Sequence, residues 1–317
     1  MAATQFSREA AQGYLRANEI SDLMNGILEG VAGDTPEEPL GYIIGMLEKM
    51  DDIKPALKCQ LSEEWSPLTL DKIDEVNHNC KILKFRLPEP SRGLGLQVCA
   101  CVLVRSTAEG DAPDVVRPYT PVSRGNQKGT VDLLIKVYPE GKMSQHLNTL
   151  KVGDTLDFKH IPFNRKIPLS VLRKEKHVVM LAAGTAITPM FQALLELFGD
   201  DCELQKKTSP MVTLLFGNRT EKDILLRKDI EEMAARCPKK FKIIHYLSTP
   251  HEEWKGERGM IDKKAIEAHC PKPSIKPKIL VCGPPAMYKA LCGPRGQPAL
   301  SGALNELGYT EEMVFKF

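Results

Sequence analysis

HVVMLAAGTAITP, residues 177–189, is the stretch that decides the fold of this 317-residue chain. The apolar run from Val178 to Ala182 predicts a strand, Gly184 a turn, and the apolar pattern from Pro189 to Phe198 a helix. The run from Val178 to Phe198 is roughly the length that a bilayer requires, but Gly184, Pro189 and several polar residues interrupt it. We therefore expect a strand, turn and helix here, and no transmembrane segment.

Strand-like and helical patterns alternate on the C-terminal side of this stretch. Apolar runs predict strands at His177–Ala182, Met211–Phe216, Phe241–Ser248 and Pro277–Cys282. Helical patterns lie between them, as in Arg227–Cys237. This alternation predicts a parallel sheet with helices on both faces and a ligand site at the carboxyl ends of its strands. We expect a Rossmann-like α/β nucleotide domain over residues 173–317.

The sequence before residue 173 has a different hydrophobic pattern. Short strand-like runs with turn signals and no long helical period occur at Cys80–Leu87, Leu96–Val104, Val131–Tyr138 and Thr155–His160. Such a pattern predicts an antiparallel barrel or sandwich. We place this domain at residues 61–172.

Residues 10–50 carry two amphipathic helical patterns. In the first, the apolar residues from Ile20 to Val31 fall on one stripe, and Leu40, Ile43 and Ile44 begin a second. Two short helices cannot enclose a core, so the stripes must pack on the rest of the chain or on a second copy. Dimerisation through residues 10–50, within a domain at residues 1–60, is the simpler expectation.

This segment resembles the docking-and-dimerisation domain of the type II regulatory subunit of protein kinase A. The resemblance rests on Tyr14 and Leu15 ahead of the first stripe and on Pro36–Leu40 at the start of the second helix. It implies an α-helical hairpin that forms a dimeric four-helix bundle and accepts an amphipathic helix of an anchoring protein. A hairpin packed on its own catalytic domains is the alternative.

Composition limits the possible functions. Lys and Arg total 43 and Asp and Glu 41, giving a net charge of +2, so we expect no nucleic-acid partner. Nine cysteines are scattered without a Cys-x-x-Cys pair, which argues against a disulfide framework and a metal site. The first residues show no leader pattern. We therefore expect a cytoplasmic protein.

Four short motifs carry the chemistry, and each is ambiguous alone. Arg117–Ser123 combines a guanidinium, an aromatic ring and hydroxyls, although it also fits a Pro-rich turn. Gly141–Ser144 precedes a helical pattern, and free N–H groups at a helix start favour a pyrophosphate. Gly184–Pro189 and Val281–Met287 each follow a predicted strand directly. Those positions are where a doubly wound sheet binds a dinucleotide.

In this order and spacing the four motifs resemble the NADH-cytochrome b5 reductase family of the ferredoxin-reductase-like flavoenzymes. The resemblance runs from about Trp65 to Phe317 and includes Phe216–Arg227 and the closing Val314–Phe317. It implies an antiparallel β-barrel FAD domain followed by the nucleotide domain. It also implies an oxidoreductase that takes hydride from NADH through FAD and passes single electrons to an acceptor such as cytochrome b5.

The resemblance also implies roles for particular residues. The implied FAD-binding residues are Arg117, Tyr119, Thr120, Pro121, Lys136, Tyr138, Gly141, Lys142, Met143 and Ser144. The implied nucleotide-binding residues are Gly184, Thr185, Thr188, Cys282, Gly283 and Pro284. Those implied at the reaction centre are Thr120, Lys136, Thr188 and Cys282. No general base is required, because the cofactors carry the chemistry.

The sequence departs from the family pattern at four places. Ala183 and Ala186 stand where the family has glycines, which puts the affinity for pyridine nucleotide in question. Residues 99–101 read Cys-Ala-Cys in place of Gly-Gln-His, and residues 159–164 replace a Gly-Pro turn. Ser248 and Thr249 replace an acidic residue, and Arg219 could favour an extra phosphate. NADH remains the expected donor, with NADPH possible.

Two other functions share these features. A catalytically impaired, reductase-like scaffold would dimerise and dock on anchoring helices, and the flavin content of the purified protein distinguishes it from an enzyme. A ferric or quinone reductase would share every motif. A combined hypothesis is an active dimeric reductase tethered to a cytoskeletal, flagellar or ciliary assembly.

Overall fold

The structure is a computed structural model that describes residues 59–106, 114–161, 167, 169–199 and 210–317, with isolated positions 28, 31, 32, 35, 38 and 39. The chain divides into two compact units, Met1–Lys58 and Cys59–Phe317. The predicted helical hairpin and its dimer contacts lie outside the described residues, apart from those isolated positions. The following account concerns the second unit.

The first half of this unit is a six-stranded antiparallel sheet. Its strands are β1 (Ser66–Asn77), β2 (Cys80–Arg86), β3 (Val102–Ser106), β4 (Val115–Tyr119), β5 (Thr130–Lys136) and β6 (Thr155–His160), in the order β4-β3-β6-β1-β2-β5. One helix, α1 (Lys142–Thr149), follows β5. Inward-facing Leu70, Leu83, Phe85 and Phe158 fill the core of this barrel-like sheet. It confirms the predicted antiparallel domain.

The second half is a six-stranded parallel sheet with helices. Its strands are β7 (His177–Ala183), β8 (Met211–Asn218), β9 (Phe241–Leu247), β10 (Glu257–Arg258), β11 (Lys278–Cys282) and β12 (Val314–Lys316), in the order β10-β9-β8-β7-β11-β12. The helices are α2 (Leu169–Lys174), α3 (Ile187–Phe198), α4 (Arg227–Arg236), α5 (Lys263–His269), α6 (Pro285–Leu291) and α7 (Gly302–Glu306). The predicted α/β nucleotide domain is therefore confirmed.

The two sheets share one apolar contact region. Cys99 and Leu134 of the first half lie in the same buried cluster as Ile187 and Met190 of α3. The turn between β1 and β2 also contacts the second half, because the Asn77 side-chain amide donates to the Lys222 carbonyl oxygen at 2.9 Å. These contacts bring the open ends of both sheets to one cleft.

Two sequence expectations are wrong in detail. The strand predicted over Leu96–Val104 begins only at Val102, because Cys99 adopts a left-handed backbone with φ +62° that no strand accommodates. Cys237 forms a disulfide, whereas the scattered cysteines predicted no disulfide framework. Among the described residues, no helix is long and apolar enough to cross a membrane.

Candidate active site

The cleft lies where the connections of the parallel sheet change direction. β7 and β11 are neighbours, with Ala182 opposite Cys282, while β8 and β12 lie on their outer sides. The turns after β7 and β11 therefore diverge and leave a crevice, which is where doubly wound sheets bind ligands. A cleft of about 1490 Å³ opens there, and residues of both sheets line it.

The end of β4 supplies the first group of lining residues. Arg117 is exposed and its Nη1 donates to the Val116 carbonyl oxygen at 2.8 Å, while Tyr119 and Thr120 follow on the same strand end. Burial raises the pKa of Tyr119 to about 12, so its hydroxyl stays protonated at neutral pH. β4 is an edge strand, which is why Pro118 is tolerated within it.

The turn between β5 and α1 forms a compact phosphate-sized cradle. The Tyr138 N–H donates to Ser144 Oγ at 3.0 Å, and that hydroxyl donates to the Gly141 carbonyl oxygen at 2.9 Å. A Cβ at Gly141 would overlap Ser144 Oγ and come within 3.1 Å of Tyr138 Cβ, so only glycine fits. Met143 is buried in the sheet core, so it offers the cleft its backbone N–H.

Lys136, at the end of β5, and Asp223 carry opposite charges within the cleft. Lys136 lines the cleft with its Nζ 6.0 Å from the Tyr138 ring centroid. Burial opposes the ionised form of Asp223, but hydrogen bonds from the Thr220 hydroxyl and N–H, with help from Lys136, lower its pKa. Among the described residues, five cationic and three acidic side chains line the cleft, which suits an anionic ligand.

The turn after β7 has an ordinary backbone except at its glycine. Gly184 has φ +56°, whereas Ala183 and Ala186 have φ −138° and −68°. Both alanines therefore occupy conformations that any residue adopts. Thr188 Oγ1 donates to the Thr185 carbonyl oxygen at 3.3 Å and closes the turn onto α3. The turn also packs against β5, which brings the two halves of the cleft together.

The turn after β11 places a thiol opposite that glycine turn. Cys282 ends β11, and Gly283 and Pro284 lead into α6. Burial raises the pKa of Cys282 to about 11, so the thiol is neutral at pH 7 and is not a general base. Phe317 lines the same wall, where its N–H donates to the Val281 carbonyl oxygen at 3.1 Å.

Nearly all the residues singled out in the sequence line this cleft. The lining residues among them are Arg117, Tyr119, Thr120, Lys136, Tyr138, Gly141, Lys142, Met143, Ser144, Gly184, Thr185, Thr188, Cys282, Gly283 and Pro284. Pro121 is buried and lies outside the lining set. The predicted sites thus converge from four separate chain segments on one space.

Sequence reasoning missed several polar lining residues, among them Asn218, Asp223 and Arg295. Asn218 is the last residue of β8, and neither polar atom of its buried side-chain amide has a partner among the described residues. Its position at the end of an apolar strand is the signal that could have identified it. Asp223 could have been found from the Thr220-x-x-Asp223 capping pattern. Arg295 lies in a Gly-Pro-Arg-Gly turn that gives no such signal.

Cys99 explains one departure from the family pattern. It stands where glycine is expected and keeps the left-handed backbone that glycine would adopt, although it is only 1% exposed. Its Sγ donates to the Pro189 carbonyl oxygen at 3.2 Å and so joins the antiparallel sheet to α3. Burial raises the pKa of Cys99 to about 12. A left-handed backbone at a residue other than glycine typically costs about 1–2 kcal/mol. At Cys99 the buried thiol hydrogen bond offsets part of that cost.

The residues present fit two nucleotide cofactors. The cradle at Gly141, the start of α1 and the exposed Arg117 suit the pyrophosphate of a flavin dinucleotide. The unpartnered amide of Asn218 and the open space beside Gly184 suit a second nucleotide at the parallel sheet. The cleft volume exceeds that of a usual small-molecule pocket, as two dinucleotides require.

Fold and site together define a two-domain oxidoreductase that binds a flavin and a pyridine nucleotide in one cleft. An oxidoreductase FAD-binding domain family matches residues 67–161, and an oxidoreductase NAD-binding domain family matches residues 180–293. The chain belongs to the NADH-cytochrome b5 reductase family, as its similarity to curated relatives shows.

Two relatives and one solved structure give the extent of this similarity. NADH-cytochrome b5 reductase 2 of Aspergillus niger is 43% identical over 258 residues, which cover 80% of this chain and 77% of the relative. The enzyme of the same name from Phaeosphaeria nodorum is 43% identical over 257 residues, covering 79% and 74%. The cytochrome b5 reductase domain of Ulva prolifera nitrate reductase superposes with a TM-score of 0.68 at 26% identity, covering 82% of this chain and all of that domain.

Proposed function

We propose that this chain is an FAD-dependent reductase that takes hydride from NADH and delivers single electrons to cytochrome b5. The observation that carries the proposal is the cleft shared by the β5–α1 phosphate cradle and the crevice between β7 and β11. The high identity to enzymes named NADH-cytochrome b5 reductase supports both the donor and the acceptor.

The chain's residues bind and orient the two nucleotides. When bound, FAD would supply the chemistry that links a donor of two electrons, given as hydride, to an acceptor that takes one electron at a time. Arg117 and the N–H groups at the start of α1 hold phosphates at one end of the cleft. Gly184 and Asn218 lie at the carboxyl ends of β7 and β8, where the pyridine nucleotide binds. Positioning of this kind provides most of the catalysis that a protein adds to hydride transfer.

The side chains assigned to the reaction centre offer hydroxyl, thiol and amino groups to the cofactors. Thr120 and Thr188 offer hydroxyl groups, and the Cys282 thiol stays protonated because burial raises its pKa to about 11. Tyr119, with a pKa raised by burial to about 12, likewise remains a hydrogen-bond donor. Lys136 supplies a cation at the end of β5. None of these residues needs to gain or lose a proton during transfer.

The acceptor and the N-terminal segment extend the proposal. Lys142 is exposed at the rim of the cleft, where a cation favours an acidic electron acceptor. We also propose that residues 10–50 dimerise in the cytoplasm and bind an amphipathic helix of an anchoring protein. Their amphipathic pattern supports this part of the proposal.

Anaerobic absorbance spectroscopy of the full chain tests the proposal. We expect a yellow protein whose flavin bands bleach on adding NADH and return on adding oxidised cytochrome b5. Ferricyanide and a quinone, tested in parallel, separate reductases with other acceptors. A colourless protein that cannot be reconstituted with FAD, or a flavin that neither NADH nor NADPH bleaches, would contradict the proposal and favour the scaffold.

A further inference from the structure

A group of polar residues lies at the rim of the cleft, at the carboxyl ends of β8 and β9. Asn218 ends β8 and Arg219 follows it, while Ser248 and Thr249 follow β9, the neighbouring strand of the parallel sheet. The Ser248 N–H donates to the Asn218 carbonyl oxygen at 3.0 Å, and the Thr249 N–H donates to the Arg219 carbonyl oxygen at 2.8 Å. These bonds hold Arg219 and Ser248 side by side, and both line the cleft.

This rim is preformed. The Gly259 N–H donates to the Leu247 carbonyl oxygen at 2.8 Å and closes the loop that follows β9. Arg258 Nη2 donates to the carbonyl oxygens of His251, Glu252 and Trp254, and so fixes the loop from within. Little ordering of this loop is therefore needed before a ligand binds.

Three carboxylates near the rim have partners of their own. Glu221 accepts from Arg227 Nη1 at 2.6 Å and lies 2.7 Å from His251 Nε2, and these bonds lower its pKa. Asp223 accepts from Thr220. Asp262 caps α5, accepting from the Ala265 N–H at 2.9 Å. The charges of these three carboxylates are thus partly offset by their own partners, while Glu252 and Glu253 of the loop after β9 are exposed to solvent.

Arg219, in contrast, is a cation with no side-chain partner among the described residues. Beside it stand the hydroxyls of Ser248 and Thr249, with no carboxylate directly after β9. In doubly wound sheets an acidic residue in this region bonds the ribose 2′-hydroxyl of NADH, whereas an arginine accommodates the 2′-phosphate of NADPH. Guanidinium and hydroxyl groups are strong phosphate ligands.

We propose that Arg219 and Ser248 form a 2′-phosphate subsite, so that this reductase oxidises NADPH as well as NADH. The inference rests on the proposed function and names a further donor for the same cleft. NADPH loses a hydride from its nicotinamide ring and leaves as NADP⁺, as NADH leaves as NAD⁺. The 2′-phosphate takes no part in that step and contributes binding alone.

Calorimetric binding of two nucleotide fragments to the full chain tests the subsite without relying on activity. Adenosine 2′,5′-bisphosphate carries the extra phosphate, and 5′-AMP lacks it. We expect the bisphosphate to bind about tenfold more tightly, as one charge-assisted hydrogen bond would provide. Arg219→Ala and Ser248→Asp should each abolish this difference, the second by repelling the phosphate.

Lys222→Ala is the matched control, because it also removes an exposed cation and lies outside the lining set. It should leave the preference unchanged. Equal binding of the two fragments to the wild type, or equal effects of Arg219→Ala and Lys222→Ala, would overturn the subsite.

Anaerobic flavin reduction separates this inference from the proposed function. We expect both NADH and NADPH to bleach the flavin, with the ratio of kcat/KM for NADPH to that for NADH falling about tenfold in Arg219→Ala. Bleaching by NADH alone would overturn the subsite and leave the proposed function standing. Bleaching by neither would overturn the proposed function, while the calorimetric preference would still report on the subsite.

Discussion

Gly184 shows how one backbone angle limits the nucleotide turn. Its φ of +56° lies in the left-handed region, and a Cβ there would meet no atom within 4 Å. The requirement for glycine therefore comes from the backbone alone. Ala183 and Ala186, which replace family glycines, have negative φ values that suit alanine. The loss of those two glycines thus introduces no backbone strain.

Substitutions in this turn distinguish the three positions. We expect Gly184→Ala to lower the free energy of unfolding by about 1 kcal/mol and to weaken NADH binding, because an L-residue is strained at this φ. Ala183→Gly and Ala186→Gly should leave NADH affinity within about twofold, since neither relieves strain. Chemical denaturation and NADH titration provide the measurements. A tenfold gain in NADH affinity in either glycine variant would show instead that the alanine methyl obstructs the nucleotide.

At the scale of elements, the start of α1 depends on one tight turn. The Ser144 hydroxyl bonds both the Tyr138 N–H and the Gly141 carbonyl oxygen, and it is buried beneath the turn. It therefore fixes the turn that leads into α1, while its own hydrogen-bonding capacity is used inside the protein. Its contribution to a bound phosphate is through the backbone.

Gly141→Ala tests this turn. The added methyl would displace Ser144 Oγ and disturb two hydrogen bonds, so we expect the dissociation constant for FAD to rise about tenfold or more. FAD reconstitution of the apoprotein, followed by flavin fluorescence, measures the effect. Gly125→Ala is the control, since a Cβ there meets only Glu196 Oε1 at 3.8 Å. Equal FAD affinity in both variants would refute the cradle.

Sequence periodicity predicted the elements with strong apolar patterns and missed those set by tertiary contacts. β7 and β11 were readable because their runs are apolar on both faces, and the turns after them followed from the rule for parallel sheets. β4 was not predicted as a strand, because Arg117–Ser123 reads as a Pro-rich turn and only its edge position permits Pro118. Nothing in the local sequence favours a left-handed backbone at Cys99 over a strand, and the only signal was the glycine that the family pattern has at this position.

At the scale of the whole molecule, catalysis depends on the contact between the two sheets. The thiol of Cys99 reaches the Pro189 carbonyl oxygen, and Asn77 reaches that of Lys222, at two separate points around the cleft. Together with the buried apolar cluster, these bonds fix the distance between the flavin side and the nucleotide side. Efficient hydride transfer requires such a fixed approach of the reacting atoms. The other compact unit, Met1–Lys58, carries the helical patterns for which we propose another function.

That other function is the predicted dimerisation, which a charge placed on the apolar stripe tests. Ile27→Asp puts a carboxylate among apolar residues that the prediction buries between two copies, so we expect a dimer to become a monomer by light scattering. Flavin content and NADH reduction should stay unchanged, because the FAD and NAD domains lie in the other unit. Asn25→Asp adds the same charge away from the stripe and should remain dimeric. A wild-type chain that is already monomeric, or a dimer that survives Ile27→Asp, would instead favour a hairpin that packs on its own catalytic domains.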